Sequence, residues 1–148
     1  MRVALLRTAI AGFALYSCTT GPRVVRVVAT DYALQAPDSV HAGIAYFVIE
    51  NRGKVPHEMV FGLLQPGKGL PEMVAAAREK VRLRELSERY LVGPPYGAIF
   101  AWPGATSPAQ LTVDLRKGQR YALLCTFRDS TESPQHAALG MVRVLSVE

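Results

Sequence analysis

The sequence has only two cysteines in 148 residues, Cys18 near the N-terminus and Cys125. A disulfide scaffold is thereby excluded, and each cysteine needs its own explanation. No run reaches the roughly 18 apolar residues that a membrane-crossing helix needs, so the only membrane candidate is a short stretch at the N-terminus. A concentrated patch of one charge is also missing. Lys and Arg total 17 against 12 Asp and Glu, a net charge of +5, but the positive residues are scattered. Between Pro71 and Tyr90, Arg78, Lys80, Arg82, Arg84 and Arg89 are interleaved with Glu72, Glu79, Glu85 and Glu88. That pattern describes a solvated helix face laced with ion pairs, and nucleic acid is not an expected partner. Internal repeats and low-complexity tracts are absent as well. What is present is a globular balance, 49% hydrophobic and 20% charged, which suits one domain with a buried core.

Met1 to Ser17 reads as an export signal. Arg2 and Arg7 supply positive charge, Thr8 to Tyr16 an apolar segment, and Ser17 a small residue before Cys18. The tetrapeptide Leu15-Tyr16-Ser17-Cys18 resembles a bacterial lipobox, although Tyr16 stands where a small residue is usual. The resemblance implies cleavage before Cys18, lipid on that cysteine and an extracytoplasmic protein held at its membrane. The expected organisation is a signal peptide over residues 1–17, a tether over 18–23 and one domain over 24–148. Residues 19–23 reach at most ~18 Å when extended, which keeps the domain near the membrane.

Within the domain, Val24–Ala29, Ile44–Ile49, Glu58–Leu63, Gln110–Leu115, Arg120–Phe127 and Met141–Val147 are short runs rich in β-branched and aromatic residues, bounded by turn residues. They read as strands, with Lys117-Gly118-Gln119 as a turn and a further short strand at Ile99–Trp102. One segment differs. Leu70, Met73, Val74, Ala77 and Val81 fall on one helical stripe with Pro71 in the first turn, and after Val81 the stripe changes face. The expectation is an all-β, antiparallel Greek-key sandwich with one helical insertion over about residues 71–90.

The residues with chemistry come late in the chain. Cys125 follows the apolar run Tyr121-Ala122-Leu123-Leu124, and His136 and Met141 come after it. Thiolate, imidazole and thioether together suit copper, which accepts a trigonal sulfur and nitrogen plane with a long axial methionine. The plane then needs a second histidine, His41 or His57. His57 stands at a strand start after the turn Asn51-Arg52-Gly53-Lys54-Val55-Pro56, whereas His41 precedes Ala42-Gly43 in a turn without such placement. Singly, each residue has an ordinary explanation as core or strand-end filler. Their joint order His, Cys, His, Met points to a metal. A nucleophilic Cys125 with His57 or His136 as base would need an open, electropositive setting, which the strand-like Leu123-Leu124-Cys125 does not offer, so an enzyme is not expected. Zinc would prefer a carboxylate to Met141, and Asp129 and Glu132 are the candidates.

Asn51-Arg52-Gly53-Lys54-Val55-Pro56-His57, Tyr121 to Cys125, Ser133-Pro134-Gln135-His136 and Gly140-Met141-Val142-Arg143-Val144 resemble the motifs of the cupredoxins, the plastocyanin and azurin family of blue copper proteins. The resemblance covers roughly Val24 to Val147. It implies one copper ion held by His57, Cys125 and His136 in the plane and Met141 as weak axial ligand, cycling between Cu(I) and Cu(II) in electron transfer between redox protein partners. A monomer is expected. The alternative is a module of the same fold that holds copper for delivery, or holds none. Two departures stand out: the long segment 126–135 between Cys125 and His136, and Glu58 where plastocyanin-like members often carry Asn in a position that ties the ligand loops together. Ala137, Ala138 and Leu139 beside His136 either form an apolar docking patch around an exposed imidazole edge or pack inward.

Overall fold

The computed structural model describes residues 21–79 and 82–148. Residues 1–20, with the leader and Cys18, and Val81, where the apolar stripe changes face, lie outside the described residues. The chain runs through β1 (Arg23–Thr30), β2 (Ala33–Gln35), β3 (Ser39–Val40), β4 (Gly43–Asn51), β5 (His57–Leu63), α1 (Leu70–Arg78), α2 (Leu83–Tyr90), β6 (Gly97–Ala101), β7 (Leu111–Leu115), β8 (Arg120–Leu124), a 3-10 helix (His136–Leu139) and β9 (Val142–Val147). Two sheets result, in the strand orders β2-β1-β4-β7 and β3-β9-β8-β5-β6.

Period-two alternation builds the inner faces. β1 buries Val25, Val27 and Ala29, and β4 buries Ala45, Phe47 and Ile49. They meet Met59, Phe61, Tyr121 and Leu123 of the second sheet, where the Phe61 ring lies 4.6 Å from that of Phe47 and 5.2 Å from that of Tyr121. Most neighbours are antiparallel, but β1 pairs with β4, and β3 with β9, in parallel. After β1 the chain turns back through β2 and crosses to the other sheet as β3, so it re-enters the first sheet running in its original direction.

The second sheet is covered on its outer face too. Met73, Ala76 and Ala77 of α1 and Leu86 of α2 pack with Val60, Ala122, Leu124 and Val142. For that reason β5 and β8 read as unbroken apolar runs rather than alternating ones. Gly62 makes room for this layer, since a Cβ there would come within 2.5 Å of Leu91 Cδ1. The single expected insertion is thus two short helices, the first opened by Pro71. Among the described residues no helix is long and apolar enough to cross a membrane.

Several boundaries differ from expectation. The strand expected over Arg120–Phe127 stops at Leu124, which leaves Cys125 one residue beyond the ladder, and the strand expected at Ile99–Trp102 runs instead over Gly97–Ala101. Ser39, next to Pro37 and Asp38, pairs with Ser146 at the edge of the second sheet. Lys117-Gly118-Gln119 is the expected turn, with Gly118 at φ +77° and the Gln119 N–H donating to the Arg116 carbonyl.

Candidate metal centre

The site is assembled at one end of the sandwich by three chain segments. The first is the turn between β4 and β5. Buried Asn51 accepts from the Gly53 N–H at 2.8 Å through Oδ1, and its Nδ2 donates to the Val55 carbonyl at 2.8 Å and, from one sheet to the other, to the Ala101 carbonyl at 3.0 Å. That amide holds the turn closed and fixes where His57 opens β5. The second is the exit from β8, where Cys125 leaves the ladder. The third is the return into β9. The His136 N–H donates to the Phe127 carbonyl, the Ala137 N–H to the Cys125 carbonyl, the Cys125 N–H to the Met141 carbonyl and the Met141 N–H to the His136 carbonyl. The segment 126–135 is an excursion whose two ends are stitched together by backbone bonds, so its length does not displace His136.

Three of the four expected ligand residues converge. One ligand atom each from His57, Cys125 and His136 lies within 4.8 Å of the others, and all three residues are buried. His57 Nδ1 is 3.1 Å from His136 Nδ1, and Cys125 Sγ is 3.5 Å from the same His136 nitrogen. Met141 is fully buried and is bonded through its backbone to both Cys125 and His136. His41 lies outside the cluster, in the exposed stretch between β3 and β4.

No protein-family model and no curated protein matches the sequence. Solved structures do. Reduced auracyanin from Roseiflexus castenholzii superposes with a TM-score of 0.54 at 18% identity, covering 86% of this chain and 99% of that one. Auracyanin A from Chloroflexus aurantiacus, described as a "blue" copper protein, gives 0.51 at 14% identity over 86% of this chain and all of that one (100%). An azurin from Methylomonas sp. strain J gives 0.50 at 12% identity over 86% and 99% of the two chains. The chain has the cupredoxin fold.

In this fold the residue after His57 ties the β5 entry to the loop after Cys125 with a carboxylate. Glu58 Oε1 accepts from the Thr126 N–H at 3.0 Å and from the Thr126 hydroxyl, while the Glu58 N–H points at Cys125 Sγ at 3.4 Å. The His136 imidazole edge is not exposed: His136 is 1% accessible, Ala137 and Ala138 are buried, and of the residues beside it only Leu139 reaches solvent. Inward packing is therefore the outcome for the two alanines.

One carboxylate escaped the sequence reading, and a second takes a role other than the one weighed for it. Asp31 Oδ1 lies 2.9 Å from His57 Nε2, and Asp129 Oδ1 lies 3.0 Å from His136 Nε2. Tyr32 donates to Asp129 Oδ2 at 2.5 Å and sets its ring 4.9 Å from that of His136. Asp31 and Tyr32 occupy the tight connection between β1 and β2. Asp129, weighed above as a zinc ligand, instead faces the outer nitrogen of His136, and the cluster contains no carboxylate.

The electrostatics follow from burial and from these contacts. Burial pushes the Cys125 thiol up to about 11, against the pull of the Glu58 and Phe127 N–H groups. Burial holds His136 below the usual histidine range despite Asp129. For Asp31, burial works upward but is outweighed by the Lys54 N–H, the His57 ring and the Val55 N–H, which hold the carboxyl below its ordinary value. Asp129 is also held low, chiefly by the Tyr32 hydroxyl, against burial and with the help of His136. Ionised carboxylates accept, so each histidine donates through Nε2–H. A neutral ring then turns its Nδ1 lone pair inward. Two Nδ1 atoms 3.1 Å apart beside a sulfur would, with both rings neutral, form a donor set that a soft-to-borderline cation satisfies, and copper fits it better than zinc, which would favour a carboxylate or a fourth strong ligand.

Proposed function

We propose that this chain is a type 1 copper electron carrier, with one copper held by His57, Cys125 and His136 and Met141 as the weak axial ligand. The observation that carries the reading is the buried convergence of two imidazole nitrogens and one thiol sulfur within 4.8 Å. Copper bound there supplies a one-electron couple whose two oxidation states share a compromise geometry. The protein's part is to keep that geometry fixed. Asn51 holds the His57 turn, Glu58 links the β5 entry to the loop after Cys125, and the backbone bonds among Cys125, His136 and Met141 lock the return. Burial keeps water from the sulfur. It also argues against a nucleophilic role, since a fully buried thiol raised to about 11 is a poor attacker.

The lipobox-like Leu15-Tyr16-Ser17-Cys18 supports the further proposals that residues 1–17 are removed, that residues 18–23 act as the tether of the 24–148 domain, and that the protein acts outside the cytoplasm, attached to its membrane through lipid on Cys18. Two acyl chains or more are expected there, because one chain anchors only marginally. An intact mass of the protein from its native host, giving an unmodified N-terminus elsewhere, would refute the anchor.

The central test is spectroscopic. Adding Cu(II) to the purified soluble domain should produce intense visible thiolate-to-copper charge transfer, and voltammetry should give a reversible one-electron couple between this protein and an electrode. Copper binding without a reversible couple would favour the holding module over the carrier. No charge transfer at all would refute the copper assignment.

A further inference from the structure

We infer that Asp31 and Asp129 are paired positioning residues that brace the two ligand histidines from outside, select which ring nitrogen faces the metal, and set the potential of the site. The inference rests on the copper reading above and extends it to residues that bind no metal themselves.

The two braces are alike. In each, a carboxylate Oδ1 accepts from the Nε2–H of a buried histidine, at 2.9 Å for His57 and 3.0 Å for His136. Each carboxylate is also held by a group other than its histidine. The Lys54 N–H donates to both oxygens of Asp31, at 3.1 and 2.8 Å, and the Tyr32 hydroxyl donates to Asp129 Oδ2 at 2.5 Å. Because Asp31 and Tyr32 are consecutive, one short connection between β1 and β2 serves both histidines, the first directly and the second through Asp129. Space is reserved for it. A Cβ on Gly53 would strike the Asp31 carboxylate and lie 2.9 Å from His57 Nε2.

The chemistry follows from the acceptor. A carboxylate on Nε2 leaves a neutral imidazole only one arrangement, with the proton on Nε2 and the lone pair on Nδ1. Both Nδ1 atoms then face each other across 3.1 Å, an arrangement that repels unless a cation or a proton lies between. The braces thus make the site receptive before copper arrives. Once it is bound, two anionic groups one ring away strengthen both imidazoles as donors and favour Cu(II) over Cu(I), which lowers the potential.

The test uses Asp31→Asn and Asp129→Asn, which keep shape and an acceptor oxygen but lose the charge, with Asp31→Ala and Asp129→Ala removing the brace entirely. Asp114→Asn is the charge-matched control, because Asp114 is exposed and pairs with Ile44, at the end of β4 away from Asn51. Circular dichroism of the metal-free proteins checks the fold. Both Asn variants should keep their charge-transfer band and move to a more positive potential than Asp114→Asn. Both Ala variants should lose about 10- to 100-fold in copper affinity by chelator competition. Potentials equal to the control together with wild-type affinity in the Ala variants would overturn the inference while leaving the copper reading intact. A wild-type protein without charge transfer would instead remove the copper reading, and the braces with it.

Discussion

Replacing Cys125 by serine exchanges a sulfur for an oxygen at a site with no accessible surface, so the backbone bonds that hold the loop have no reason to change. The expected result is a folded protein, by circular dichroism, that shows no intense visible band with Cu(II); a variant that stays coloured would show that the sulfur lies elsewhere. Met141→Leu keeps volume and burial while removing a weak donor. It should retain the band and raise the potential in voltammetry. The convergence of His57, Cys125 and His136 was legible in the sequence because each sits in a local motif whose neighbours, Pro56, the apolar run before Cys125 and Pro134, declare its placement. Asp31 was not, because its meaning depends on Gly53 and His57, far along the chain. Asp129 was seen as a polar loop residue with a possible ligand role, and only the folded loop turns its carboxylate to the outer nitrogen of His136.

At the level of elements, the turn between β4 and β5 is the most exposed to damage. Asn51→Ala removes three hydrogen bonds, two within the turn and one to the Ala101 carbonyl of β6, and at about 1 kcal/mol each the loss is about 3 kcal/mol. Urea unfolding of the metal-free protein should show it, along with weaker copper binding. Gly62→Ala tests the helical layer. The added methyl meets Leu91, and overpacking of this kind costs about 1–3 kcal/mol; the copper spectrum should be unchanged, since the collision lies on the face of β5 turned away from the inner core. The seven expected strands and the helical segment were visible because apolar patterns carry their own period. β2 and β3 were not, because three and two residues are too few to show one. The parallel pairing of β1 with β4 was also hidden, since alternation along a strand records which face is buried and not which neighbour it takes.

For the molecule as a whole, burial of Tyr121 sets a limit on the alkaline side. The phenol is enclosed, accepts from the Arg116 N–H at 3.2 Å and is raised above its ordinary value by desolvation. A raised phenol stays neutral in the fold while the unfolded chain ionises it, so its contribution is intact below about pH 10 and is lost as pH rises through the folded value. Urea midpoints of the metal-free protein should fall above about pH 10, and Tyr121→Phe should fall less steeply. The sandwich also imposes an order of events. His57 and His136 are 79 positions apart, and β9, which follows the last ligand, lies between β3 and β8 rather than at an edge. Nothing resembling the finished site exists while the chain is still emerging from a ribosome or a translocation channel, when a lone thiol and scattered imidazoles would be open to any passing metal. In the finished fold Cys125, His136 and Met141 are all enclosed together. On the copper reading proposed above, loading the folded protein would require an opening of the cover that Asp31 and Asp129 form over the outer nitrogens of the two histidines, and its rate would then be set by the protein rather than by diffusion of the ion.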